Sequence, residues 1–202
     1  MDRSERLAAH QNLVIPAGYL PNPSSHLYGP RDMSIFRWMC NAMQAGQCHS
    51  MLDVGCWDGW LDFLMIERGF EVTGVELVPE LVTAAKQYAT LNHVDYTVYR
   101  GFFDELEIIG RYDAVAALEM LEHVALDEVP AYVAKMESLA VKKVFIALPD
   151  QDCSKNGQHL WTPTEELIKE MWGARRDFVC QRWCYSPSIP DNWMISWSTE
   201  PR

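Results

Sequence analysis

The sequence predicts an α/β fold, a doubly wound sheet of seven strands that is mostly parallel and ends in an antiparallel C-terminal strand pair. Three observations predict it. Between residues 51 and 148, short apolar runs alternate with segments of helical periodicity, the pattern of parallel strands joined through helices that cover both faces of a sheet. The first of these runs passes through a glycine-punctuated loop straight into a helix, in the stretch MLDVGCWDGW (Met51 to Trp60). After residue 180, two alternating β-rich runs around Trp183 to Tyr185 and Trp193 to Trp197 are separated by the proline-containing loop SPSIPDN, which reads as an antiparallel pair.

Residues 1 to 30 form an N-terminal arm, polar at first and then interrupted by Pro16, Pro21 and Pro23. Residues 31 to 202 read as a single domain. From Arg31 to Ala45, Ile35, Phe36, Trp38, Met39 and Met43 recur at helical spacing and place a helix before the first strand. In the arm and the start of this helix, Tyr28 and Arg31 are the positions of interest. Met51 to Val54 is the first strand, and Leu61, Phe63 and Leu64 open the helix after the loop, with Asp58 and Asp62 expected at its N-terminus, where negative charge is favourable. Phe70, Val72 and Val75 form the second strand, ending at Glu76. Pro79 starts a helix whose apolar face is Leu81, Val82, Ala85, Tyr88 and Ala89. Short strands follow at Tyr96 to Tyr99, Asp113 to Leu118 and Lys143 to Leu148, with a helix at Val129 to Leu139 between the last two. Thr162 is expected to cap a helix and Glu165 to close its capping box.

Composition is that of one soluble, enzyme-sized domain. The chain has 202 residues, 49% hydrophobic, and a net charge of −11. That charge disfavours long nucleic acid, whose binding needs a basic surface. No run approaches the ~18 apolar residues of a membrane span, and MDRSERLAAHQ lacks the apolar core of a signal peptide. The expectation is a cytoplasmic protein with no membrane partner, acting as a monomer or homodimer. Cys40, Cys48, Cys56, Cys153, Cys180 and Cys184 show no paired metal-type spacing and are expected as reduced thiols, with Cys180 and Cys184 on one face of a strand.

The glycine loop points to a ligand. Gly55 and Gly59 let a ligand approach the backbone, and the first N–H groups of the following helix are free to meet negative charge. Glu76, at the end of the next strand, lies within the roughly 20-residue reach of a carboxylate that binds ribose hydroxyls. A dinucleotide fingerprint would need glycine where Trp57 stands, and a P-loop would need lysine where Trp60 stands. Both phosphate-binding readings therefore fit poorly.

The pattern Asp53-Val54-Gly55-Cys56-Trp57-Asp58-Gly59, with Gly74-Val75-Glu76, Tyr112-Asp113-Ala114-Val115 and Leu118-Glu119-Met120-Leu121-Glu122-His123-Val124, resembles the class I S-adenosylmethionine-dependent methyltransferases. The resemblance implies a Rossmann-like fold and a cofactor, S-adenosylmethionine, held by Asp53, Gly55, Cys56, Trp57, Gly59, Glu76, Leu77, Gly101, Phe102, Leu118 and Glu119. Phe102 stands where many relatives place an acid beside the adenine, and it either packs on the ring or fills core. Trp57 either closes the methionine end of the cofactor, points into the substrate cleft, or marks a changed ligand.

Ligands of open α/β sheets lie at the C-terminal ends of the strands. There the chain offers Glu119, Glu122, His123 and, from the loop after the fifth strand, His159. If residues 119 to 124 begin a helix, Glu119 faces Glu122 at i+3 and His123 at i+4. Carboxylates and imidazoles together suit Mg, Mn or Zn, so Glu119, Glu122, His123 and His159 are the candidate metal ligands and His123 and His159 the candidate proton acceptors. This set, with His159-Leu160-Trp161-Thr162-Pro163, is similar to that of the ubiquinone-pathway O-methyltransferases and of the enzymes that methylate the terminal ribose of small RNAs. The blander reading has Glu119 on the cofactor or a helix end, Glu122 solvated and His159 bonded to a loop.

The expected activity is methyl transfer to a hydroxyl of a small metabolite, sugar or nucleotide. The alternatives are methylation of terminal RNA ribose, a cofactor-binding protein without methyl transfer, and other chemistry on the same cofactor. Trp161, Trp172, Trp183, Tyr185, Trp193 and Trp197 either stack on an acceptor or build core.

Overall fold

A computed structural model describes residues 30–150, 159–183 and 191–199. Its centre is the strand Ser50–Val54 (β1), fully buried from Met51 onward. β1 pairs in parallel with Glu71–Glu76 (β2) on one side and with Tyr112–Leu118 (β4) on the other. Beyond β2 lies the short Thr97–Arg100 (β3). Beyond β4 lies Ala140–Asp150 (β5), longer than expected at both ends. The sheet closes with two antiparallel strands, Asp191–Ser198 (β7) against β5 and Val179–Trp183 (β6) against β7. The order is β3-β2-β1-β4-β5-β7-β6, so the chain reverses direction across the sheet between β1 and β4. In open α/β sheets such a switch point leaves a crevice for a ligand.

Side chains of a strand alternate between faces, and the sheet's two cores follow that period of two. Leu52, Val54, Val115, Ala117, Val144, Ile146 and Leu148 share one core with Val129, Tyr132, Val133 and Met136 of the helix Val129–Leu139 and with Ile168 and Trp172 of Glu165–Trp172. Met51, Ala114, Ala116, Phe145 and Ala147 face the other core. There the helix Pro30–Ala45 (α1) contributes Ile35, Phe36, Met39 and Met43, and Trp60–Glu67 (α2) contributes Leu61 and Met65. The helix Pro79–Leu91 (α3) begins at Pro79, where a missing N–H leaves no bond unmade. It docks on α2 through Tyr88, whose ring lies 4.3 Å from that of Phe63.

The α1 expectation stands with a shift of one residue, and the antiparallel pair stands too, but its first strand is Val179–Trp183, four residues earlier than expected, and its second already begins at Asp191. The cap at Glu165–Trp172 (α5; Val129–Leu139 is α4) differs. Thr164, not Thr162, is the N-cap, its Oγ1 accepting from Leu167 N at 3.2 Å. Glu165 pairs forward with Lys169 and closes no box. Of the C-terminal tryptophans, Trp161, Trp172, Trp193 and Trp197 are buried and build core, with Trp172 and Trp197 stacked at 5.9 Å, while Trp183 is exposed. Cys40, Cys48, Cys56 and Cys180 are free thiols. The N-terminal arm including Tyr28, the side chain of Arg31, and Cys153, Cys184 and Tyr185 lie outside the described residues.

Candidate active site

The glycine loop leaves β1 over the end of β2. Gly55 N and Cys56 N both donate to Val75 O, at 2.8 and 3.0 Å, which lays the loop backbone against the neighbouring strand. Three of its five residues are left-handed, Gly55 (φ +84°), Trp57 (φ +56°) and Gly59 (φ +79°). At Gly55 a side chain is excluded on a second count, since a Cβ there would lie 2.5 Å from Met120 Cγ. For Trp57 the left-handed region costs about 1–2 kcal/mol that glycine would not incur. What holds it is Glu76, whose Oε2 accepts from Trp57 N at 3.0 Å while Oε1 accepts from Leu77 N and Val78 N at 2.7 and 2.8 Å. Burial pushes the Glu76 carboxyl up to about 7, against the pull of those three N–H groups. The indole of Trp57 is 41% exposed, while its neighbours Cys56 and Asp58 are buried.

Under the loop lies a group of polar side chains. Asp58 precedes Gly59, the N-cap of α2, and its Oδ1 accepts from Trp60 N, the first residue of the helix, at 3.1 Å. Asp62 lies in the first turn of α2, as expected, but its side chain is fully buried. Its Oδ2 accepts a 2.5 Å hydrogen bond from Tyr96 Oη, which also lies 3.4 Å from Cys56 Sγ. Burial raises the Asp62 carboxyl well above its ordinary range, and nearby Asp53 raises it further. Asp53, itself buried, is pushed up to about 6 by the same desolvation. Two adjacent carboxyls in a dry site share their ionisation, so one holds a proton when the other is charged. Gly74 makes room for the group, since a Cβ there would stand 2.2 Å from Tyr96 Oη and 2.6 Å from Cys56 Sγ.

The third wall comes from the end of β4. Glu119 is left-handed (φ +57°), and a 3-10 turn, Leu121–His123, follows Met120. The expected α-helical facing of Glu119 with Glu122 and His123 is therefore corrected. Glu119 diverges from them, and its Oε1 accepts from Asn192 Nδ2 of β7 at 2.7 Å. Glu122, His123 and His159 do converge, with one potential ligand atom from each lying within 4.8 Å of the others. Glu122 is buried, and the two imidazole rings meet edge to face at 4.8 Å. His159 is delivered by its neighbours, because Leu160 N donates to Glu122 O at 2.8 Å and Trp161 Nε1 bonds to Leu121 O and Val124 O at 3.2 and 3.1 Å.

The remaining predicted positions line the same edge of the sheet. Gly101 N donates to Glu76 O at 3.1 Å, and Leu77, Phe102 and Leu118 are half-buried. After Phe102, Asp104 Oδ1 accepts from Tyr132 Oη of α4 at 2.9 Å. Sequence reasoning missed Tyr96 and Asn192, whose partners are 34 and 73 residues away. An aspartate between Leu61 and Phe63 on an apolar helix was the available signal for the buried group.

The fold and the glycine loop resemble those of the class I S-adenosylmethionine-dependent methyltransferases. Residues 51–142 match the family described as a methyltransferase domain. The ubiquinone biosynthesis O-methyltransferase of Xanthomonas axonopodis pv. citri is 42% identical over 76 residues, a stretch spanning 37% of this chain and about a third (32%) of that protein. Two solved structures share the fold at low identity. Magnesium protoporphyrin IX methyltransferase from Synechocystis PCC 6803, with bound S-adenosylhomocysteine, superposes with a TM-score of 0.65 at 19% identity, covering 83% of this chain and 81% of that one. The N-methyltransferase NodS from Bradyrhizobium japonicum WM9, in complex with S-adenosylhomocysteine, gives 0.72 at 11% identity over 96% and 97%. No helix among the described residues is long and apolar enough to cross a membrane.

Proposed function

We propose that the protein transfers a methyl group from S-adenosylmethionine to a hydroxyl oxygen of a small metabolite, sugar or nucleotide. The observation that carries the reading is the convergence of Glu122, His123 and His159 beside a glycine loop whose partner acid, Glu76, closes the neighbouring strand. The name of the Xanthomonas relative, an O-methyltransferase, supports an oxygen acceptor.

The donor fits the residues present. Gly55 to Gly59 offers a backbone cradle for the carboxypropyl and amino end, and Glu76 stands at the strand end where a ribose diol is held. Leu77, Gly101 and Phe102 border the adenine, with Leu118 and Glu119 on the opposite wall and Asp53 and Cys56 beneath the loop. When bound, the cofactor supplies a methyl group on a positively charged sulfur, so its leaving group is already activated. The chain's work is then to align the acceptor and to exclude water. It must also receive the hydroxyl proton, and His123 and His159 stand where an imidazole nitrogen can accept it.

The same three side chains form a chemically suitable donor set for a divalent Mg, Mn or Zn ion, one carboxylate and two imidazoles. A bound ion would lower the pKa of an acceptor hydroxyl. Glu119, held by Asn192, sides with the cofactor in this reading.

The test is transfer of labelled methyl from the donor to a panel of catechols, sugars and nucleosides, run with EDTA and with Mn²⁺. His123→Ala and His159→Ala are each expected to lose about 10²-fold or more in turnover on an oxygen acceptor. Wild-type turnover confined to nitrogen acceptors, or histidine variants as active as the wild type, would remove the oxygen assignment.

A further inference from the structure

We propose that Trp57 is a specificity-determining residue whose indole lies against the sulfur of the cofactor and favours the charged donor over its neutral product. This rests on the reading that the glycine loop holds S-adenosylmethionine. The loop residues from 55 to 59 are half-buried or buried except Trp57, which is 41% exposed. Its backbone is fixed on both sides. Cys56 N is bonded to Val75 O, and Trp57 N is bonded to Oε2 of Glu76. The backbone of Trp57 is therefore held directly beside the acid that would grip the ribose, with the indole exposed.

Chemistry places the sulfur close by, since it is only two bonds from the ribose ring. A large aromatic side chain in a left-handed conformation is unfavourable, and such strain is held at sites where it serves a ligand. Among the described residues, the indole belongs to none of the apolar cores. Glycine at position 57 would adopt φ +56° freely, and an exposed side chain fills no core.

What an indole face offers there is attraction for a cation, strongest for tryptophan among the aromatics. S-Adenosylmethionine carries a sulfonium, and S-adenosylhomocysteine, the same molecule without the methyl, carries a neutral thioether. Their ammonium, carboxylate, ribose and adenine are identical, so the ratio of their affinities isolates the sulfur. Glu76 and other nearby carboxylates favour the cation too, but they are unchanged when only Trp57 is replaced.

The experiment is calorimetric titration of the full chain with each ligand, for the wild type, Trp57→Gly and Trp57→Leu. Trp57→Gly relieves the left-handed strain and keeps the fold. Trp57→Leu keeps an apolar side chain without a π face. In both variants the preference for S-adenosylmethionine over S-adenosylhomocysteine is expected to fall by about 3- to 30-fold. An unchanged ratio in both variants, with both ligands still bound, would overturn the role of Trp57 and leave the cofactor site standing. Failure of the wild type to bind either ligand would overturn both together.

Discussion

Asp62 is the residue that most sharply departs from ordinary packing. It sits with no solvent exposure under the glycine loop, next to Asp53 and bonded to Tyr96. A carboxyl whose pKa is raised on folding binds more protons in the native state than in the unfolded chain. Its contribution to stability is thus full at low pH and is lost as pH rises through the folded value. Asp53 is pushed up to about 6 and Glu76 to about 7, so the loss falls between about pH 4 and pH 7. Its size is on the order of 1.4 kcal/mol for each pH unit between the folded and unfolded titrations of a group. Asp62→Asn keeps an oxygen for Tyr96 and removes one of the paired acids. Urea unfolding at pH 5 and pH 8 should show wild-type stability falling with pH over this range and a clearly flatter dependence in the variant. Equal slopes would mean that the pair carries no shared proton. The apolar neighbours of Asp62 signalled its burial, but its meeting with Asp53 and Tyr96 was not legible from spacing, because the three come from a helix, a strand and a loop joined only by the fold.

At the scale of elements, the 3-10 turn after β4 and the segment after β5 make one unit. Trp161 Nε1 reaches the carbonyls of both Leu121 and Val124, and that contact sets His159 beside Glu122 and His123. Trp161→Phe preserves the buried ring and leaves those carbonyls without their donor, which should destabilise the protein by about 1–3 kcal/mol. On the proposed metal reading, Mn²⁺ titration of the variant is expected to show weaker binding than the wild type while S-adenosylhomocysteine still binds. If metal affinity is unchanged, the tryptophan does not position His159. The convergence of these residues was readable from their place at strand ends. The route was not, since the sequence suggests a helix from residue 119 and the left-handed Glu119 interrupts it. That conformation turns Glu119 toward Asn192 of a strand that pairs only once the chain has closed the sheet.

Across the whole molecule, alternation of apolar runs was enough to read the parallel sheet, because the central strands β1, β4 and β5 carry two buried faces with a period of two. Boundaries moved where periodicity is silent. β5 begins at Ala140 directly after its helix, and β6 starts at Val179 with an exposed, polar pattern that the aromatic residues around Trp183 mask. The reversal of strand order between β1 and β4 places the Gly55–Gly59 loop, Glu76 and the His123–His159 pair on one edge of the sheet. The proposed methyl transfer requires that edge to be a cofactor site. The most direct test is titration with S-adenosylhomocysteine of the wild type and Glu76→Ala, with unfolding of both followed to verify the fold. Micromolar binding by the wild type, lost at least 10-fold in a folded Glu76→Ala, is the predicted result. No binding by the wild type, or equal affinity in the two proteins, would contradict it.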